Sequence, residues 1–207
     1  MYGLSNVNYS ELKNQIMSNE TFHIGLEPVT LSNADEQQNQ ILEKAKKANG
    51  MIPNMYKNMV NLPGLQDTYD TGYAHFRQSS GFTPAEQEVV FLTSSIENGC
   101  GYCTAAHSYL ADEVSKTPVE VTNAIREGKQ IPNTKLRALS EFTKVMHETR
   151  GNPSPQQAQV FLDAGYTEKN ILAIILAMAV KTISNYSNHI FHTEIDEAFS
   201  GRKLENV

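Results

Sequence analysis

Basic charge is scarce in this chain of 207 residues: 17 Lys and Arg stand against 23 Asp and Glu, a net charge of −6. Nothing in it resembles the clustered Lys/Arg face that phosphate neutralisation requires, so a general nucleic-acid surface is excluded. The one short basic run, "EKAKKANG", lies among acidic and polar residues and reads as a solvated helix face. Long apolar runs are lacking too. The most apolar segment, "NILAIILAMAV" (170 to 180), is too short to cross a bilayer and ends at Lys181, which makes a buried core helix the expectation. The first residues, "MYGLSNVNYSELKNQ", have neither the positive start nor the apolar run of a signal peptide, so the reducing cytoplasm, with no membrane partner, is the expected location. Cysteine is limited to two residues, and in such a compartment a lone CxxC is more often redox or metal chemistry than a structural bridge.

What is present is a globular composition, 40% apolar and 19% charged, in a length that one domain accommodates. Residues 1 to 207 are therefore read as a single domain, with 1 to 30 as a looser arm. That arm has one short helix around "SELKNQIM" and an extended "LEPVTLS", able to pack on its own or a neighbouring subunit. Three times a Ser or Thr precedes Pro and is followed, three positions on, by Glu or Gln: "TPAE" (83 to 86), "TPVE" (117 to 120) and "SPQQ" (154 to 157). Each combines a capping hydroxyl, a proline at the first helical position and a side chain that reaches back to the cap. Helices are expected to begin near 84, 118 and 155. Stops fall at Gly50, Asn98-Gly99, Gly128, Gly151 and Gly165. Apolar residues between these marks recur at three and four, as in Leu136, Leu139, Phe142, Thr143 and Met146, and no strand alternation is convincing. The expected class is all-α, with about eight or nine helices.

The chemistry-bearing stretch is "EVVFLTSSIENGCGYCTAAHS" (88 to 108). On the helix opened by Thr83, Ala85, Glu88, Leu92 and Ile96 form one stripe, which sets a carboxylate among apolar neighbours. After the Asn98-Gly99 break, Cys100, Cys103 and His107 share a helical face that continues into Leu110 and Val114. Thiols at i and i+3 lie about 5 Å apart at Cα, within disulfide range. A helix N-terminus and a nearby imidazole favour thiolate. Spacing pairs His107 with Cys103 as base and nucleophile, whereas the order of roles in thioredoxin-like motifs favours Cys100. Spacing alone leaves both open. A zinc site is a further alternative, with a ligand to come from His75, His189 or His192.

The pattern Glu88, Cys100, Cys103, His107 resembles the signature of the alkyl hydroperoxidase D-like branch of the carboxymuconolactone decarboxylase family. The stretches "NGMIPNMYKNMVNLPGL" (49 to 65) and "AVKTISNYSNHIFHTEID" (179 to 196) add to the likeness. The resemblance implies a helical, oligomeric protein, trimer or hexamer, that reduces a small organic hydroperoxide without cofactor or metal. It implies that Cys103 attacks and becomes a sulfenic acid, that Cys100 protonates the leaving oxygen and resolves the sulfenate as a disulfide, and that His107 and Glu88 form a proton relay. A dithiol or dihydrolipoyl-type protein is the implied reductant. Where the best-known members have a second histidine between the cysteines, this chain has Tyr102, a phenol that does not titrate near neutrality. Asn185, Asn188 and His189, with His192 one turn on, are candidates for a pocket wall or support of the cysteines; an amide-satisfied helix end is the plainer reading. Met51, Met55 and Met59 form a stripe that suits core or an adaptable apolar pocket. The other functions compatible with these residues are a lactone decarboxylase, against which the cysteine pair weighs, and a redox-sensing adapter.

Overall fold

The computed structural model describes residues 21 to 204; the helix expected around "SELKNQIM" lies outside them. Nine α-helices are found among the described residues and no strand. In chain order they are α1 (Glu36–Asn49), α2 (Asn54–Met59), α3 (Pro63–Ser79), α4 (Pro84–Glu97), α5 (Gly101–Tyr109), α6 (Val119–Arg126), α7 (Thr134–Glu148), α8 (Pro155–Asp163) and α9 (Glu168–Ile190). A π-helical turn, Leu110–Val114, follows α5, and a 3₁₀ turn spans Glu197–Arg202.

Two of the three expected capping boxes form. Thr83 accepts from the Glu86 amide while Glu86 reaches back, and Ser154 and Gln157 do the same. The third does not. Thr117 donates its amide to the Ala111 carbonyl at 2.8 Å, as the end of the π turn. Its hydroxyl is buried without a hydrogen-bond partner, and α6 starts at Val119 with Pro118 as an unassisted cap. The preceding turn has already fixed the backbone, so the "TPVE" pattern never meets the geometry it needs. Two further boxes, Asp35 with Gln38 and Thr167 with Asn170, open α1 and α9.

The α4 helix is the axis of the molecule. Ten consecutive residues from Glu86 to Ser95 are buried, because α5, α6, α7 and α9 all pack against it. A helix enclosed on every side has no solvent face to satisfy polar groups, and Glu86, Gln87, Glu88, Thr93 and Ser95 are accordingly paired within the protein, Ser94 being the exception. Helix α9 packs on α3, α4 and α5. It is long and apolar enough to cross a membrane by length and composition, but its Ala173, Ile174, Ala177 and Val180 face the core, as expected for "NILAIILAMAV". Its approach to α3 is close: a Cβ on Gly72 would sit 2.8 Å from Val180 Cγ2.

The extended segment 21 to 30 lies on its own chain. The Ile24 amide donates to the Ile190 carbonyl and the Val29 amide to that of Lys57, at 2.9 and 2.8 Å.

Candidate active site

The corner between α4 and α5 builds the site. Gly99 takes φ 67°, which only glycine adopts without strain, and the Cys100 amide donates back to the Ser95 carbonyl at 2.9 Å. This closure turns α5 onto α4, so that Glu88 and His107 meet: His107 Nδ1 lies 2.8 Å from Glu88 Oε2. Both are buried. The other carboxylate oxygen of Glu88 accepts from Arg77 Nη2 of α3, whose guanidinium also lies over the Tyr73 and Phe91 rings. The carboxylate thus has two partners, a fixed cation and an imidazole.

Cys100 is the N-cap of α5. Its sulfur accepts from the Cys103 amide at 3.4 Å, and the two thiol side chains hydrogen-bond to each other. They are not joined as a disulfide. Asn188 Nδ2 of α9 donates to Cys103 Sγ at 3.2 Å, and Ser184 Oγ lies 3.9 Å from the same sulfur. Burial by itself raises a thiol. Here it is outweighed: the hydrogen bond from Cys100, the charge of Lys181, the neighbouring His107 and Ser184 hold Cys103 well below the ordinary thiol range. Cys100 is pushed the other way, by its hydrogen bond to Cys103 and by burial. Both directions favour ionisation at Cys103 over Cys100.

Burial, with Lys181 adding to it, lowers His107 and keeps the imidazole neutral against the pull of Glu88. Burial favours protonation of Glu88, but His107 and Arg77 override it and keep the carboxylate ionised. An ionised Glu88 accepts from Nδ1–H, which leaves His107 Nε2 unprotonated and able to take a proton.

Cys103 and His107 line a cavity of about 420 Å³, a size that admits small organic ligands. Five tyrosines, Tyr56, Tyr69, Tyr73, Tyr102 and Tyr109, line it with Met51 and Met55. Burial raises Tyr56, Tyr69, Tyr73 and Tyr102, so their phenols stay neutral. Leu110 and Val114 line the cavity as well, although the π turn leaves Val114 65% exposed, so the apolar face expected to continue from His107 ends at a rim. Tyr102 donates its hydroxyl to Asp196 Oδ2 at 2.5 Å. It is a locked phenol in the cavity wall.

Of the other candidates, Asn188 reaches Cys103 and Asn185 does not. Asn185 accepts from Asn98 at 2.8 Å and secures the α4–α5 corner. His189 and His192 are exposed and line a second cleft, with Cys100 and Gly99. Among the described residues no three His, Cys, Asp or Glu side chains converge as a metal centre requires. Sequence reasoning passed over Arg77 and Lys181. For Lys181 a signal existed: it falls on the interior stripe of α9 with Ile174, Ala177, Ser184 and Asn188, at helical spacing. For Arg77 there was none, since its value lies in a partner eleven residues away on another helix.

The architecture and the corner define a helical protein with a buried dithiol site. Residues 63–130 match the carboxymuconolactone decarboxylase family model. No curated protein matches the sequence. Among solved structures, an alkylhydroperoxidase AhpD core, described as an uncharacterized peroxidase-related protein from Ralstonia eutropha JMP134, superposes with a TM-score of 0.73 at 18% identity, over 84% of this chain and 93% of its own. An uncharacterized peroxidase-related protein from Silicibacter sp. TM1040 gives 0.71 at 16% identity, over 88% and 98%. A variant of the debrominase Bmp8 in complex with 2,3,4-tribromopyrrole gives 0.71 at 16% identity, over 88% and 97%. Residues 63–130 thus carry the family match, within a fold similar to that of the AhpD-like and peroxidase-related structures.

Proposed function

We propose that the protein is a thiol oxidoreductase in which Cys103 reduces an apolar organic hydroperoxide and Cys100 completes a disulfide. The observation that carries this reading is the buried dithiol at the start of α5, whose Cys103 Sγ accepts from Asn188 Nδ2 and lines a tyrosine- and methionine-walled cavity together with His107 and Lys181. The Cys103 thiolate forms a bond to the terminal peroxide oxygen as the O–O bond breaks. The alkoxide that leaves takes the Cys100 proton, and the Cys100 thiolate then displaces hydroxide from the Cys103 sulfenic acid. His107, held by Glu88, moves protons at Nε2. The second cleft gives a dithiol or dihydrolipoyl-type reductant an approach to Cys100. A second copy of the chain is the proposed cover for Leu172, Ile175 and Tyr186, which α9 leaves exposed, and no membrane or nucleic-acid partner is needed by this chemistry.

The debrominase likeness and the aromatic lining favour one other electrophile, a halogenated aromatic. In that reaction the Cys103 thiolate takes the halogen, the ring carbon takes the Cys100 proton, and disulfide formation expels halide. Thiol counting before and after one equivalent of cumene hydroperoxide separates the readings. Loss of two thiols is expected; persistence of both over minutes overturns the peroxidase. Loss with a bromopyrrole and release of bromide then selects the second. Cys103→Ser is expected to abolish thiol-dependent peroxide consumption, and Cys100→Ser to leave a sulfenic acid trappable by dimedone. The reverse pattern overturns the assigned order.

A further inference from the structure

Lys181 is buried to 1% exposure, yet its ammonium has no hydrogen-bond partner among the described residues. An unpaired buried charge is costly and is retained only where something compensates it. The carboxylates nearby are already committed. Glu88 is held by Arg77 and His107, and Asp196 by Tyr102 and the Asn54 amide. The Phe91 ring, 5.6 Å from Nζ, offers only a weak cation–π contact. Lys181 lines the same cavity as Cys103 and, among the described residues, is the one ammonium or guanidinium there.

We propose that Lys181 is the anion receptor of this cavity: it compensates the Cys103 thiolate in the reduced protein and takes a small monovalent anion, the hydroxide or halide displaced from the oxidised Cys103 sulfur, once that thiolate is consumed. The charge count requires such a handover. One negative charge enters the reaction as the Cys103 thiolate, and one leaves as hydroxide or halide, while the sulfurs end as a neutral disulfide. The ammonium stays where it is throughout. In the oxidised state it is a buried cation beside an apolar space, and the anion formed within that space is the nearest compensation. The substrate class follows: a neutral, apolar or aromatic molecule that transfers an electrophilic oxygen or halogen to Cys103, the atom that then leaves as hydroxide or halide. An anionic substrate would compete with the thiolate for Lys181 and is disfavoured.

This inference rests on Cys103 as the thiolate, and its test does not need turnover. Bromide, titrated calorimetrically in a buffer of large, weakly coordinating ions, is the probe. Diamide-oxidised wild type and Cys103→Ser, which removes the thiolate charge without oxidation, are both expected to bind one bromide at least about tenfold more tightly than reduced wild type. Lys181→Met in the Cys103→Ser background is expected to lose that affinity by at least about tenfold, and Lys181→Arg to keep most of it. Methionine removes a buried charge at similar length, so the fold tolerates it. Equal binding by reduced and thiolate-free protein, retention in Lys181→Met, or no saturable binding in Cys103→Ser overturns the proposal. Thiols that ignore hydroperoxides in a protein whose Cys103→Ser form binds bromide would remove the peroxidase and leave the receptor standing.

Discussion

Tyr102 lies between the two cysteines, and its hydroxyl is tied to Asp196 rather than to either sulfur. A phenol tied there anchors the cavity wall. Tyr102→Phe is therefore expected to cost about 1–3 kcal/mol in urea denaturation, the range for a lost hydrogen bond to a charged acceptor, while the rate of peroxide-dependent thiol loss stays within about threefold, a change of under 1 kcal/mol in barrier. Glu88→Gln is expected to do the opposite to the chemistry. It frees His107 from its fixed tautomer and slows thiol loss by about 10²-fold or more; a rate within about threefold of wild type, again under 1 kcal/mol, removes Glu88 from the relay. The contrast explains what the sequence disclosed at this scale. Glu88, Cys100, Cys103 and His107 are legible because one corner brings together residues close in the chain. Arg77 and Lys181 are not, since each acquires its meaning from a partner on another helix, and a lysine at the end of an apolar run reads first as a terminus. Lys181 of α9 lines the cavity beside Cys103, where the CxxC itself carries no basic residue.

At the scale of elements, the same three-residue spelling gives two outcomes, and stability measurements separate them. Thr83→Ala removes a formed capping box at the entrance to α4 and is expected to cost about 1 kcal/mol. Thr117→Val replaces a buried hydroxyl that has no hydrogen-bond partner by a methyl of the same size and is expected to lie within about 0.5 kcal/mol of wild type. Equal losses from the two, measured by midpoint in urea, would mean that Thr117 caps α6 after all. The helix boundaries were readable wherever local capping chemistry decides them, as at Pro84 and Pro155 and at the glycines of left-handed φ. The π turn at Leu110–Val114 was not readable. It depends on a bond from Ser115 to the Leu110 carbonyl and on the ion pair between Asp112 and Arg202, 3.0 Å apart and distant in sequence. That turn ends the smooth face expected from Cys100 to Val114 and makes Val114 the rim of the cavity.

Across the whole molecule, the buried site ties stability to pH. In the unfolded chain His107 takes a proton near 6.5, its ordinary value; in the folded protein burial and Lys181 move that event to lower pH. Between the two values the unfolded state binds more protons, so stability falls as pH falls from 6.5 through the folded value. Glu88 acts with the same sign further down: its folded value lies below the ordinary 4.5, so its contribution is present above that pH and is lost as pH drops through the folded value. The two losses are successive because His107 begins to charge the unfolded chain first. A single proton limits the slope to about 1.4 kcal/mol per pH unit, about 3–6 °C in Tm for a chain of this size. His107→Asn removes the titrating group, and is expected to lower Tm at neutral pH by breaking the Glu88 contact while flattening the decline below pH 6.5 by up to that amount. A decline of unchanged slope in the variant would mean that another group carries the acid sensitivity and that His107 is not held neutral by the fold.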